Sequence, residues 1–299
     1  MVDHTVHCPL VTPFDDEGAL DLDAFESVAT AVLDAGIDGL VPLGTTGEFA
    51  SLTRAERRAV LERAVAVAAE NGDAPVLAGV GATAVADAVD ALAFAAETGA
   101  DYGLLVLPYF HAANDPAGNV RFLRRVADES PLPLYLYNIP QYVGAEIGVE
   151  AVAELADHDR VVGLKDSGGD FGYACEVLAS TPDGFELYQG VEALLVPSVL
   201  MEATGGINAL SNVVPEVLVA VRDALDAGDH DRARTLHRGA LQPLFGELAT
   251  HGFASGTKAA LRARGRLETD AVRPPLVPLD DDAREDVASA VADALALVE

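Results

Sequence analysis

Residues 160–170 read RVVGLKDSGGD. A short apolar run, residues 161–164, leads into Lys165, and small polar residues separate it from a longer helical pattern at 170–180. A run of this length bounded by turn residues is typical of a buried strand, and a longer amphipathic stretch is typical of a helix. The stretch therefore predicts one strand followed by one helix.

This strand–helix unit recurs along the chain. Apolar runs predict buried parallel strands at 6–14, 39–44, 75–81, 102–109, 132–139, 161–166, 185–190 and 205–211. Helical patterns lie between them, at 21–35, 53–71, 84–99, 115–129, 149–157, 170–180 and 192–203. Two helix starts carry capping signals: Thr53 with Glu56 forms a capping box, and Asp115 precedes Pro116.

Eight strand–helix units predict an α/β fold, the (β/α)8 TIM barrel, with a C-terminal helical extension. A doubly wound open sheet would use fewer strands over this length. We expect residues 1–225 to form the barrel and catalytic domain, and residues 226–299 to form a helical region packed on it. Helical patterns near the end of the chain occupy 215–227, 230–249, 256–264 and 282–297.

The charge of the chain excludes several classes of partner. The 299 residues carry a formal net charge of −29, which repels nucleic acid and anionic membranes. An acidic coat with almost no lysine is one way for proteins to stay soluble in concentrated salt. We therefore expect a halophilic protein that unfolds when salt is removed.

Other compartment signals are weak. Cys8 and Cys175 show no metal or redox spacing, and the seven histidines are scattered, so we expect no metal site. No apolar run is long enough for a transmembrane helix. The opening MVDHTVHCPL lacks the basic and apolar regions of a signal peptide. We expect a cytoplasmic protein.

In a TIM barrel the active site lies at the carboxyl ends of the strands. After the second strand, Gly44 and Gly47 bracket Thr45 and Thr46. Backbone N–H groups and hydroxyls in such a turn suit a small anion, best a carboxylate. An ordinary turn between strand and helix is the equally weighted alternative.

Aromatic residues follow the fourth and fifth strands. Tyr109 stands at the end of the fourth, where packing at the barrel rim is the simpler interpretation. Tyr135 and Tyr137 share one face of the fifth strand, and Tyr137 is nearer the strand end. Its hydroxyl could transfer protons, or it could be a hydrogen-bonded core tyrosine.

Lys165 ends the sixth strand. Of the 19 basic residues only Lys165 and Lys258 are lysines. Burying an ammonium is costly, and a neutral buried amine is a nucleophile that forms Schiff bases with carbonyls. An ion pair with Asp166 is the structural alternative, although neighbouring strand residues face opposite sides. Gly190, after the seventh strand, leaves room for a ligand near the lysine.

The motifs LVTPF, GTTGE, LPYF, YNIP, GLKDSGGD and GGINALSN follow one another across the whole chain. As a set they resemble the dihydrodipicolinate synthase / N-acetylneuraminate lyase family of class I aldolases. The resemblance implies a TIM barrel, usually a homotetramer, that acts on pyruvate or 2-keto acids without metal or organic cofactor.

The same resemblance implies residue roles. Lys165 would form the Schiff base, and Tyr137 would shuttle protons. Thr45 and Thr46 would hold the carboxylate of pyruvate. Backbone groups would line the site at Gly190 and Ile207. Tyr109 would be a further substrate-binding residue.

Departures from the family pattern bear on the substrate. Dihydrodipicolinate synthases usually carry an arginine where Tyr142 stands, and a tyrosine where Phe110 stands. The chain is more similar to the 2-keto-3-deoxygluconate aldolase branch, and its acidic composition suggests a haloarchaeal source. We expect cleavage of a 2-keto-3-deoxy sugar acid to pyruvate and an aldehyde such as glyceraldehyde.

Several alternatives remain open. They are a 4-hydroxy-tetrahydrodipicolinate synthase, a 2-keto-3-deoxy sugar acid dehydratase and a non-catalytic sugar-acid sensor. Residues 111–113, His-Ala-Ala, replace the stretch that carries a phosphate-binding arginine in archaeal relatives. This weakens the expectation of a 6-phosphate substrate.

Overall fold

The structure, a computed structural model, describes residues 4–111 and 115–298. It contains eight strands: β1 Thr5–Cys8, β2 Gly39–Leu40, β3 Leu77–Val80, β4 Tyr102–Val106, β5 Leu134–Asn138, β6 Val161–Asp166, β7 Glu186–Gln189 and β8 Gly205–Ile207. Hydrogen-bonded neighbours follow the order β2–β1–β8–β7–β6–β5–β4–β3. With a helix after every strand, this is the TIM-barrel fold.

Thirteen α-helices are present in the described part of the chain. They are α1 Leu22–Asp34, α2 Arg54–Glu70, α3 Val85–Thr98, α4 Pro116–Glu129, α5 Pro140–Val143, α6 Val149–Ala156, α7 Phe171–Ser180, α8 Leu195–Leu200, α9 Pro215–Asp226, α10 His230–Leu236, α11 Gln242–His251, α12 Phe253–Ala263 and α13 Asp281–Leu295. Helices α10 and α11 are joined by a π-helical stretch, His237–Leu241. In the described ranges, no helix combines the length and apolar character that crossing a membrane requires.

The chain forms two compact units. The discontinuous unit comprises residues up to Pro75 and from Ile207 onward, and the central unit comprises Val76–Gly206. The discontinuous unit includes β1, β2 and the C-terminal helices, whereas the central unit includes β3–β7 with α3–α8. The boundary expected near residue 225 stays a prediction.

Each unit has its own apolar core. In the central unit the largest fully buried side chains are leucines: Leu77, Leu92, Leu104, Leu105, Leu107, Leu123 and Leu134. Strands of a parallel sheet covered by helices are apolar on both faces, which explains the continuous runs in the sequence. In the discontinuous unit the corresponding set is Leu10, Phe14, Phe25, Leu40 and, unexpectedly for a charged residue, Lys258.

All eight predicted strands and every predicted helical region are confirmed. Most strands are shorter than predicted, whereas β6 has the predicted bounds. Both capping signals are present: Thr53 and Glu56 form the capping box, and the Asp115 side chain accepts from the Ala117 N–H. The pattern at 230–249 is interrupted by the π-helical stretch, and α5 was not anticipated.

His7 illustrates how tightly the discontinuous unit is packed. It lies on β1 opposite Gly39 of β2, and any side chain at Gly39 would collide with the imidazole and with the Pro75 carbonyl oxygen. Burial lowers the pKa of His7 to about 4, and the nearby Asp38 carboxylate only partly opposes this shift. The native protein therefore holds this imidazole neutral well below its ordinary pKa.

The sign of the resulting pH dependence follows from linkage. Between about pH 6.5 and pH 4 the unfolded chain binds a proton at His7 that the native state excludes, so stability falls as the pH falls.

The variant His7→Gln should lack this part of the pH dependence. When the pH is lowered from 7.5 to 5.5 at fixed molar salt, the unchanged protein should lose about 1 kcal/mol more of its free energy of unfolding than His7→Gln does. Denaturant titration at the two pH values measures this. His230→Gln, at an exposed histidine, should keep the original dependence, and equal slopes for both variants would contradict the assignment.

Candidate active site

One row of paired residues runs across neighbouring strands of the central unit, near the carboxyl ends of these strands. The strand register aligns Val106 with Tyr137, Tyr137 with Lys165, Lys165 with Tyr188, and Tyr188 with Gly205. Paired residues of parallel strands face the same side of a sheet. The lysine therefore lies between two tyrosines, one residue before the end of β6.

Lys165 is a buried lysine near the carboxyl end of β6. Its exposed fraction is 4%, and its Nζ stands 4.5 Å from the centroid of the Tyr137 ring. Among the described residues Lys165 forms no ion pair, so the alternative pairing with Asp166 is absent there. A cation or amine over a phenol ring is attracted by the ring's quadrupole, but that contact is far weaker than an ion pair in a buried site.

Asp166 has a different environment from its neighbour Lys165. Its Oδ1 accepts from Asn138 Nδ2 at 2.8 Å and from the Gly168 N–H at 3.0 Å. Its Oδ2 is buried and has no hydrogen-bond partner in the described ranges. Burial raises the pKa of Asp166, while the two hydrogen bonds oppose the shift. Because Asn138 and Asp166 end adjacent strands, this side-chain pair ties together the ends of β5 and β6.

The position of Gly190, beside Lys165, leaves no space for a side chain. Its N–H donates to the Asp166 carbonyl at 2.7 Å. A Cβ at this position would lie 3.1 Å from Lys165 Cε and would collide with Ser167 Oγ. The structure thus places this predicted site residue against Lys165.

The two tyrosines of β5 have separate environments. Tyr135 lies two residues before Tyr137 on β5, and its hydroxyl donates to the Glu186 carboxylate. Burial raises the pKa of Tyr135, and the bond to Glu186 adds to the shift. Tyr135 is thus a hydrogen-bonded core tyrosine, and Tyr137 is the one that contacts the lysine.

The loop that carries Thr45 and Thr46, here called the threonine loop, belongs to the discontinuous unit. Thr46 is buried and Thr45 half-buried. Leu43 and Glu48, which flank the loop, both adopt left-handed backbone conformations, with φ of 63° and 53°. Gly47 cannot carry a side chain because a Cβ would lie 2.7 Å from the Leu10 carbonyl oxygen. Such strained conformations persist only where the surroundings enforce them, and they cluster at functional sites.

The remaining predicted residues differ in exposure. Ile207 is buried at the end of β8. Tyr109 lies beyond the end of β4 and is 44% exposed, and Phe110 next to it is 79% exposed. Tyr142 on α5 is 57% exposed. Of the stretch noted for phosphate binding, Ala112 and Ala113 lie outside the described residues.

Metal ligands are not clustered in the part of the chain that is described. Over residues 4–111 and 115–298, no group of three or more histidine, cysteine, aspartate or glutamate side chains is arranged to hold a metal ion. Next to Lys165 the structure places the ring of Tyr137 and the backbone of Gly190. A buried amine beside a phenol can add to a carbonyl and exchange protons with the adduct.

Comparison with known proteins identifies the family. The model of the "Dihydrodipicolinate synthetase family" matches residues 4–294, and this chain belongs to that family of lyase-type, pyruvate-dependent aldolases. A 4-hydroxy-tetrahydrodipicolinate synthase from an Exiguobacterium species is 39% identical over 94% of each chain. An "Uncharacterized DapA-like lyase" of Halobacterium salinarum is 36% identical over 97% of this chain and 93% of the relative.

A solved structure agrees with the fold. YagE, an E. coli prophage protein of the dihydrodipicolinic acid synthase family crystallised with pyruvate, superposes with a TM-score of 0.92. The match covers 99% of both chains at 26% sequence identity. The family resemblance expected from the motifs is therefore confirmed.

Two side-chain pairs of the structure were not predicted from the sequence. The Asn138–Asp166 pair gave no signal because it depends on strand register. Lys258 forms a buried ion pair with Glu48 of the GTTGE motif, and here a signal existed: Lys258 is one of only two lysines in the chain.

The Asn138–Asp166 pair generates a stability prediction. Asp166→Leu removes the acceptor of two N–H groups and should lower the free energy of unfolding by about 2–4 kcal/mol. Asp166→Asn keeps one acceptor oxygen and removes the buried ionisable group, so its loss should be clearly smaller. Denaturant unfolding at pH 7.5 and fixed molar salt measures both. Equal losses would show that the acceptor oxygen does not tie the two strands together.

Proposed function

We propose that this chain is a Schiff-base aldolase in which Lys165 condenses with pyruvate. The observation that carries the proposal is a buried lysine that has no ion-pair partner among the described residues and lies over the ring of Tyr137 at the carboxyl end of β6. A structural lysine in such a place would need an anionic partner. The pyruvate complex of the similar YagE supports the choice of substrate.

The chemistry follows from the amine. Nζ of Lys165 adds to C2 of pyruvate, and loss of water leaves a protonated imine. The imine withdraws electrons, so C3 can lose a proton to form an enamine. Tyr137, whose ring lies beside Lys165 Nζ, would exchange protons there. The enamine carbon then attacks an aldehyde. In the reverse direction a 2-keto acid is cleaved to pyruvate and an aldehyde, and water releases the lysine.

Other residues would bind the substrate. Thr45 and Thr46, in a loop with strained ends, supply N–H groups and hydroxyls for the pyruvate carboxylate. Gly190 and Ile207 contribute backbone groups. Tyr109 is the least supported member of the set because almost half of its surface is exposed.

As the substrate of the cleavage we propose a 2-keto-3-deoxy sugar acid, which would give pyruvate and an aldehyde such as glyceraldehyde. Tyr142 replaces the arginine that the synthases use to grip a second carboxylate, and Phe110 lacks the hydroxyl of their tyrosine. A phenol on α5 can hydrogen-bond a sugar hydroxyl but cannot neutralise a carboxylate. A homotetramer in a salt-rich cytoplasm remains part of this proposal.

The names of the relatives favour a second candidate, 4-hydroxy-tetrahydrodipicolinate synthase. That reaction joins the same pyruvate enamine to aspartate 4-semialdehyde, which carries a second carboxylate. The two candidates share Lys165 and Tyr137, and the positions that bear on the choice between them are Tyr142 and Phe110. A dehydratase would use the same lysine but would release water without cleaving a carbon–carbon bond.

A direct assay separates these reactions. In molar salt, the protein should release pyruvate from 2-keto-3-deoxygluconate, and Lys165→Met should lose this activity by at least about a thousandfold because no imine can form. Tyr142→Arg should improve condensation of pyruvate with aspartate 4-semialdehyde about tenfold, since it adds one charge-assisted pair.

Tyr142→Phe is the matched control, because it changes the same exposed position without adding charge. Efficient condensation with aspartate 4-semialdehyde by the unchanged protein, without pyruvate release from the sugar acid, would replace the first candidate by the second. Turnover of the sugar acid without pyruvate would indicate the dehydratase. Binding without turnover of any of these substrates would indicate a sensor.

A further inference from the structure

The second lysine of the chain is buried as deeply as the first. Lys258 lies on α12 with no exposed surface, and its Nζ is 2.5 Å from Oε1 of Glu48, which is also fully enclosed. Glu48 is the residue that ends the GTTGE motif. A buried ion pair of this kind costs desolvation of both groups, so additional contacts must compensate.

Those contacts come from the C-terminal part of the discontinuous unit. Lys258 Nζ donates to the Ala271 carbonyl at 2.8 Å and stands 4.1 Å from the centroid of the Phe14 ring. Burial lowers the pKa of Lys258, and the Glu48 carboxylate opposes that shift. The other carboxylate oxygen of Glu48, Oε2, accepts from the Arg273 N–H at 3.2 Å. Both oxygens of Glu48 are thus held from the far end of the chain.

Arg273 extends this cluster around the threonine loop. Its guanidinium lies 4.2 Å from the centroid of the Phe14 ring and donates to both oxygens of Glu56, at 2.6 and 3.0 Å. It also donates to the Ser51 carbonyl at 3.1 Å. One arginine therefore contacts the segment that follows the threonine loop at two places, Ser51 and Glu56.

The backbone connects this cluster to the threonines. Glu48 adopts a left-handed conformation, with φ of 53°, which is unfavourable for a residue other than glycine. Its N–H donates to the Thr45 carbonyl at 3.1 Å, which closes the turn that contains Thr45 and Thr46. The residue in this unfavourable conformation is thus the one whose side chain is tied at both oxygens, by Lys258 and by the Arg273 N–H.

We propose that Glu48, Lys258 and Arg273 are positioning residues that hold the Thr45–Thr46 turn in the conformation that binds the carboxylate of pyruvate. The inference rests on the proposed function of that turn. It gives the C-terminal helical region a role in substrate binding. Lys258 itself does not react with pyruvate, because its Nζ is enclosed by Glu48, Phe14 and Ala271.

The test follows exchange of the methyl protons of pyruvate with D2O by NMR, which requires imine and enamine formation but no aldehyde. Lys258→Met should raise the KM for pyruvate in this exchange about tenfold or more, with a much smaller change in kcat. In the double variant Glu48→Gln/Lys258→Met the unpaired charge is gone, so thermal stability should recover while the KM stays raised.

Arg264→Met is the matched control. Arg264 follows α12 in the same unit, donates to the Glu216 carboxylate at 3.0 Å and does not contact the threonine turn. It should lose stability without a change in KM. Should Lys258→Met fail to fold, Glu48→Gln alone is the milder variant, and the same rise in KM is expected.

The outcomes separate the two proposals. No exchange by the unchanged protein overturns the aldolase function and this inference with it. Normal exchange by the unchanged protein with an unaltered KM in Lys258→Met and Glu48→Gln overturns only the inference. A KM that rises in Lys258→Met but returns to normal together with stability in the double variant also overturns it, since the pair would then be merely structural.

Discussion

Burying an ammonium group is the physical constraint on which this structure depends. The penalty is large in a low-dielectric interior and is normally met by a paired carboxylate and further hydrogen bonds. Lys258 meets it in this way, with Glu48, the Ala271 carbonyl and the Phe14 ring. Within residues 4–111 and 115–298 no carboxylate pairs with Lys165, and its Nζ lies over the ring of Tyr137. The two lysines are therefore buried in different ways: Lys258 pairs with a carboxylate, and Lys165 lies over an aromatic ring.

The parallel sheet fixes the positions of the residues that we propose to carry the chemistry. Register pairing along β5, β6 and β7 fixes the heights of Tyr137, Lys165 and Tyr188 relative to one another. Hydrogen bonds just beyond these residues, from Asn138 to Asp166 and from Gly190 to the Asp166 carbonyl, secure the strand ends. A nucleophile and its proton-transfer partner gain most when such supporting contacts fix their geometry.

High net charge and buried charge obey different rules in salt. The charge of −29 and exposed pairs such as Arg125–Glu129 are screened within a few Å in concentrated salt. The Glu48–Lys258 pair is enclosed and is screened far less. The proposed support of the Thr45–Thr46 turn therefore rests on contacts that concentrated salt hardly weakens.

The sequence allowed much of this to be predicted. Continuous apolar runs located every strand, and the rule that barrel sites lie at strand ends selected Lys165 and Tyr137. The four-residue helix α5 is too short to show a period, so the exposure of Tyr142 could not be anticipated. The Asn138–Asp166 and Glu48–Lys258 pairs depend on strand register and on contacts between distant parts of the chain, which local patterns do not encode.

The central claim is the imine at Lys165. Borohydride reduction in the presence of pyruvate, followed by peptide mass spectrometry, should find a pyruvate-derived adduct on Lys165 and none on Lys258. An adduct on Lys258, or none on either lysine of the folded protein, would contradict the account.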